Sequence, residues 1–240
     1  TSCAQKVDNK NKDVTNNDDD SIKDLSSIDT DISEENSDDT LRDNVAIISE
    51  NLGKLAVSDN NDDKLFQEPP PKEDCAICML PLPYSNNIVG FKKTYQPCCG
   101  KTLCHGCMSA TVAEMSKGKL KHCCPFCRMP LPICGREFIN RLKKRMQLND
   151  ANAFLSLAGW YRDGDRSVPQ DYKKAFELYT RAAKLGSIKA HYDLAATYEN
   201  GDGVENDEEK SEQHFRLAAI GGNDLARHML GDTEVKRGNI

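Results

Sequence analysis

Aromatic residues and long apolar runs are what this 240-residue chain has least of. There is one tryptophan, aromatics make up 6% of the sequence, and residues 1–40 contain none. A segment so poor in large side chains cannot bury enough surface to offset its ordering entropy, so residues 1–72 are read as an acidic, disordered tail. No apolar stretch approaches the roughly 20 residues of a membrane-spanning helix, and no secretory pattern is present. We therefore expect no membrane partner and an intracellular location, cytoplasmic or nuclear. Cysteine is also missing from most of the chain. Of eleven, all but Cys3 lie between Cys75 and Cys134. Disulfides do not persist in a reducing compartment, so the cluster points to metal.

Charge divides what remains into three. Residues 1–72 carry a net of −10, residues 73–148 a net of +8 and residues 149–240 a net of −4. Within the tail, Leu41, Val45, Ile48, Leu52 and Leu55 recur at helical spacing. A short helix is expected over 41–57, either a partner-binding element or a transient one, since about 15 isolated residues are marginal in water. "EPPPK" (68–72) reads as a stiff spacer.

The cysteines come in pairs. Cys75/Cys78, Cys104/Cys107 and Cys124/Cys127 each enclose two residues, a spacing that lets a tight turn aim both thiolates at one zinc. Cys98 and Cys99 supply a fourth pair, and eight ligands make two closed, structural sites. Neighbouring residues in an extended strand point to opposite faces, so Cys98 and Cys99 must sit on a turn, which Gly100 makes inexpensive. Either both bind zinc or His122 replaces Cys98; His105 and Cys123 are further donors nearby.

"CAICMLPL", "PCCGKTLCHGCM" and "CPFCR" together resemble a RING finger, here bounded at 73–134. The resemblance implies a small cross-brace α+β domain holding two structural zinc ions. Pairs one and three would share one ion (Cys75, Cys78, Cys104, Cys107), and pairs two and four the other (Cys98, Cys99, Cys124, Cys127). The position where many RINGs carry a histidine ligand is Lys101, whose protonated amine has no lone pair to offer. The eight-cysteine variant is therefore the better match. It implies ubiquitin-protein ligase activity without a covalent ubiquitin intermediate. Ile77 and Pro125 would contact a ubiquitin-charged conjugating enzyme, and Arg128 would bridge that enzyme and ubiquitin. Thr111 stands where the family often has a groove tryptophan. A non-catalytic zinc interaction module is the alternative. The basic charge invites a nucleic-acid reading, but no interleaved aromatics or recognition helix accompany it.

Residues 149–240 repeat. Ala153, Leu157, Tyr161 and Gly164 recur 37 residues later at Ala190, Leu194, Tyr198 and Gly201. Val168, Asp171, Ala183 and Gly186 recur 36 later at Val204, Asp207, Ala219 and Gly222. Tyr172, Ala175, Phe176, Tyr179, Ala182 and Ala183 form one helical stripe, with Asp171 and Asp207 placed to cap the second helix of each pair. An all-α helical-hairpin solenoid follows, with two full units and one partial. The pattern resembles Sel1-like repeats, relatives of the tetratricopeptide repeats, which implies a scaffold binding a protein substrate or adaptor. Residues 135–148 are read as a capping helix that joins the two modules. Its Arg141, Lys143, Lys144 and Arg145 are read as a solvated face rather than a nuclear signal.

Overall fold

Every helix of the repeats begins on a short polar side chain that takes up an otherwise unpaired amide. In a computed structural model describing residues 64–65, 67–82, 93–164 and 167–238, Asp171 accepts from the amide of Lys174 and Asp207 from that of Lys210. These start helices α4 (Tyr172–Lys184) and α6 (Glu208–Ile220). The first helices of the hairpins are capped in the same way. Asp150 caps α3 (Ala151–Asp163), Ser187 caps α5 (Ile188–Asn200) and Asn223 caps α7 (Asp224–Lys236). Each cap is worth about 1 kcal/mol. The acidic tail up to residue 63 and its expected helix over 41–57 lie outside the described residues.

The expected stripe on α4 is buried except at its start. Tyr172 is exposed, and its hydroxyl accepts from the Gln170 side chain at 2.9 Å. Leu178 and Thr180 are buried as well, because α4 packs against both α3 and α5 and so needs more than one apolar stripe. The turn ahead of α6 comes so close to α4 that a Cβ on Gly203 would fall on the Tyr172–Lys173 backbone; its φ is +76°.

The second hairpin departs from the first in its core. His191 and His214 stand where the first has Phe154 and Leu178. Their Nδ1 atoms are 3.0 Å apart, one donating to the other, and Tyr198 stacks on His214 with centroids 5.7 Å apart. Burial drives both imidazoles down, His191 to about 4 and His214, which also feels His191, to about 3.

Ahead of the repeats lies a small module: a hairpin of β1 (Lys93–Gln96) and β2 (Lys101–Cys104), then helix α1 (His105–Ser116). The strands are antiparallel, with Lys93 opposite Cys104 and Gln96 opposite Lys101. Among the described residues, one buried cluster of the module is Cys75, Leu82 and Leu103, with Ala76, Cys104, Cys107 and Met108 packed around them, and Met115 and Cys124 are buried as well. Cysteines thus make up much of its described core, the setting in which a bound metal adds folding energy.

Helix α2 (Gly135–Met146) joins the module to the solenoid. It buries Ile139 and Leu142 in the solenoid core, about 2 kcal/mol each, and stacks Phe138 on Trp160 with centroids 5.0 Å apart. Lys144 is exposed as expected of a solvated face, but the two arginines are engaged. Arg141 pairs with Glu137 and donates to the Pro130 carbonyl at 2.7 Å. Arg145 donates to Asp150 at 2.7 Å and lies so close to Gly100 that a Cβ there would strike its guanidinium. Tyr95 of β1 completes the joint by donating to the same Asp150 oxygen at 2.8 Å. Among the described residues, no helix is long and apolar enough to cross a membrane.

Candidate metal centres

Two short segments of the small module have the same internal order, Cys-x-x-Cys-x-(Leu/Met)-Pro: Cys75–Pro81 and Cys124–Pro130. Each folds into the same knuckle. The Cys75 amide donates to the Leu80 carbonyl at 2.9 Å, and the Cys124 amide to the Met129 carbonyl at 2.7 Å. The Met79 and Arg128 amides return to the carbonyls of Cys75 and Cys124, both at 3.0 Å. The residue after each second cysteine is left-handed, Met79 at φ 58° and Arg128 at φ 62°. Neither is glycine, so each is held there at a cost of about 1–2 kcal/mol.

The other two pairs come from the hairpin and helix. Cys98 and Cys99 occupy the turn between β1 and β2, where Gly100 adopts φ +72° and donates to the Gln96 carbonyl at 2.8 Å. Cys104 ends β2 and caps α1, and Cys107 lies in the first turn of that helix, its thiol pushed up to about 12 by burial and by the sulfurs of Cys104, Cys78 and Cys75.

These elements bring the eight cysteines together in two interleaved groups. Cys75, Cys78, Cys104 and Cys107 form one, and Cys98, Cys99, Cys124 and Cys127 the other, with all ligand atoms in each within 4.8 Å of one another. Individual sulfur separations are 3.7 Å for Cys78–Cys104, 3.9 Å for Cys99–Cys124 and 3.4 Å for Cys98–Cys127. Four thiolates at about 2.3 Å from a central zinc sit about 3.8 Å apart, so the donor set and spacing fit tetrahedral zinc. Burial raises the Cys75 thiol, but the amides of Cys104, Cys78 and Ile77 outweigh it and bring that group down to about 6. Cys98 is pushed up by burial and by the neighbouring sulfurs of Cys127 and Cys124. A cation would remove this conflict by taking several thiolates at once.

The alternative donors lie elsewhere. His122 is exposed and in neither group, His105 faces Ser109 at 3.2 Å, and Cys123 and Cys134 also lie outside both. Lys101 sits with its ammonium 5.7 Å from the Phe126 ring centroid, a cation–π contact in place of ligation. Ile77 and Phe126, the matching apolar residues of the two knuckles, are 43% and 45% exposed. Arg128 is exposed and Pro125 half-buried. Thr111 donates to the Cys107 carbonyl at 2.8 Å, so no aromatic lies at that point of α1. The sequence reading missed the seven-residue match of the knuckles, which direct comparison of the two segments would have revealed. It also missed Tyr95, Arg145 and Asp150, whose pairing leaves no sequence signal.

Comparison with known proteins gives partial matches. The chain is 37% identical over 57 residues to the cytochrome c oxidase assembly factor 7 homolog of Drosophila melanogaster, covering 24% of this chain and 21% of that one. It is 29% identical over 110 residues to chitin synthase regulatory factor 4 of Schizosaccharomyces pombe, covering 45% and 17%. To chitin synthase regulator SKT5 of Saccharomyces cerevisiae it is 36% identical over 113 residues, covering 43% and 16%. The matched region thus spans about a fifth or less of these relatives' length. Among solved structures, a Sel1 repeat protein from Oxalobacter formigenes matches at 32% identity and TM-score 0.40, over 41% of this chain and 74% of that one. A protective antigen of uropathogenic Escherichia coli displaying an SLR fold matches at 28% and TM-score 0.42, over 45% and 23%. Residues 150–187 and 188–223 each match the Sel1 repeat family, and this part of the chain is a Sel1-repeat array.

Proposed function

We propose that residues 73–134 bind two structural zinc ions as a RING-type module and that the chain is a ubiquitin-protein ligase. The supporting observation is the interleaved pairing of the cysteine groups together with the apolar residues exposed on both knuckles. Ile77, Met79 and Leu80 on one knuckle and Phe126 and Met129 on the other offer a conjugating enzyme a two-sided apolar contact. Arg128, with a fixed fork of donors beside that surface, would bond the conjugating enzyme and ubiquitin together. Such a module never becomes acylated. It acts by holding the charged thioester where a substrate lysine can attack. The Sel1 repeats serve as the protein-binding scaffold that brings the substrate or an adaptor. The match to two proteins named as chitin synthase regulators is in keeping with a scaffold that controls other proteins.

The second reading, a zinc-stabilised scaffold without transfer activity, is favoured by Thr111, which leaves the apolar contact without an aromatic wall. A reconstituted ubiquitination assay against a panel of conjugating enzymes separates the two. Chain formation that falls more than about tenfold in Ile77→Ala and Arg128→Ala supports the ligase, since loss of one central contact costs about 1–2 kcal/mol or more. A folded protein carrying two zinc ions yet silent with every conjugating enzyme would sink it.

A further inference from the structure

Helix α2 does more at the zinc module than join it to the repeats. Two of its arginines, one turn apart, each reach a different ligand-bearing loop, and both loops belong to the group of Cys98, Cys99, Cys124 and Cys127. Arg141 donates at 2.7 Å to the carbonyl of Pro130, the residue that closes the second knuckle. Arg145 lies with its guanidinium against Gly100, in the turn that carries Cys98 and Cys99. A Cβ on Gly100 would come within 2.1 Å of Nη2 and 2.6 Å of Cζ, so the guanidinium occupies the space that the missing side chain leaves.

The Cys98–Cys99 turn is where such support matters. Its two thiols are neighbours and must converge on one ion, whereas the other pairs have two intervening residues to turn in. The Cys99 and Gly100 amides hold the turn to β1, donating to the Gln96 carbonyl at 3.3 and 2.8 Å. Gln96 is buried, and its Nε2 donates to the Met108 sulfur at 3.8 Å. Arg145 bears on the turn at Gly100 and is itself fixed by two bonds to one Asp150 oxygen, from Nε at 3.0 Å and Nη2 at 2.7 Å. Both arginines have a carboxylate partner, Glu137 for Arg141 and Asp150 for Arg145. Their charges are thus largely balanced, and what they bring to the thiols is shape and position.

We propose that Arg141 and Arg145 are positioning residues of the second zinc centre. Arg145 sets the Cys98–Cys99 turn and Arg141 sets the Cys124–Cys127 knuckle, so a helix rooted in the solenoid core steadies both halves of that ligand set. The inference rests on reading the cysteine groups as zinc sites. Groups that orient metal ligands without touching the metal are typically worth about 10–100-fold in affinity. Removing either arginine therefore loosens one ion and leaves the other, held by Cys75, Cys78, Cys104 and Cys107, in place.

The test uses the full chain loaded with zinc and treated with EDTA and N-ethylmaleimide, with labelling followed peptide by peptide in a mass spectrometer. In Arg145→Ala and in Arg141→Ala, Cys98 and Cys99 should be labelled at least about tenfold faster than in the unaltered chain. Cys75 and Cys78 should keep their rate. Arg145→Lys should behave like Arg145→Ala, since an ammonium keeps the charge but cannot cover Gly100. Lys144→Ala, which removes an exposed charge from the same helix, should change neither rate. Should Arg145→Ala lose the helical circular dichroism of the repeats, Arg145→Gln and Arg141→Ala carry the same comparison. An equal rise in both groups would mean general loosening of the module and overturns the proposal, as does no rise in either. An unaltered chain that holds no zinc would overturn the metal reading itself, whereas two ions released alike in every variant leave that reading standing and sink only the role of the arginines.

Discussion

Replacing His191 and His214 by Phe and Leu, the residues at the equivalent places of the first repeat, should remove a pH dependence from the solenoid's stability. Both imidazoles are held below their ordinary value of about 6.5 by burial, to about 4 and about 3. Folding therefore favours the neutral rings. Their contribution is present above the unfolded value and is lost as pH falls from about 6.5 toward the folded ones. At pH 5 the unfolded chain has taken up nearly both protons and the folded chain almost none. This costs about 2 kcal/mol per ring, or about 4 kcal/mol for the pair. Tyr198, the ring stacked on His214, is itself pushed further toward its neutral form by burial and offers no compensating charge. Urea unfolding of the whole chain and of the His191→Phe/His214→Leu double variant, each at pH 7.5 and pH 5.0, reads the effect. The unaltered protein should lose on the order of 2 M more in midpoint than the variant, for a slope of about 2 kcal/mol/M. Carboxylates and thiols titrate in both proteins and cancel in the comparison. Equal losses would refute the reasoning, since the pair would then be solvated and its burial of no consequence.

Three further expectations concern metal, joint and turn. Native mass spectrometry should find two zinc ions on the intact protein and one on Cys124→Ser, with the Cys75 group still filled. Asp150→Ala removes the cap of α3 and the bonds from Arg145 and Tyr95, and should lower stability by about 3 kcal/mol in thermal melts; Asp150→Asn, which keeps a capping oxygen, should recover about 1 kcal/mol. Gly203→Ala forces a methyl onto the Tyr172–Lys173 backbone and should cost well over the roughly 1 kcal/mol of Gly118→Ala, which shares a positive φ but has open space around it. Comparable melting temperatures for those two variants would show that α4 yields at that turn.

The repeats were legible in the sequence because their determinants are local. A capping Asp and the next helix's stripe lie within one turn of each other, and the spacing of Ala153, Leu157 and Tyr161 returns in the next unit. The pairing of the thiols was legible only through a resemblance, since spacing alone does not say which pairs meet. What the sequence concealed is tertiary partnership. Arg141 and Arg145 have the spacing of a solvated basic face, yet Arg141 bonds Glu137 and the Pro130 carbonyl, and Arg145 bonds Asp150. Tyr172 has the spacing of a core residue and points outward. Leu65 lies between runs of acidic and proline residues, and no local pattern announces that it reaches a helix more than a hundred positions away.

The joint between zinc module and repeats has a mechanical consequence. Only Gln147, Asn149 and the intervening Leu148 separate α2 from the capping Asp150, and the Asn149 and Asp150 amides turn back to the Met146 and Arg145 carbonyls. With Arg145 and Tyr95 converging on Asp150, that connection acts as a strut and not a tether. Under the proposed ligase function, a protein carried by the repeats and one seated on the knuckles would be presented at a single separation and angle. On that proposal reach, more than affinity, would decide which surface lysines of the cargo come within range, and adding or removing residues in 147–149 would redraw that map.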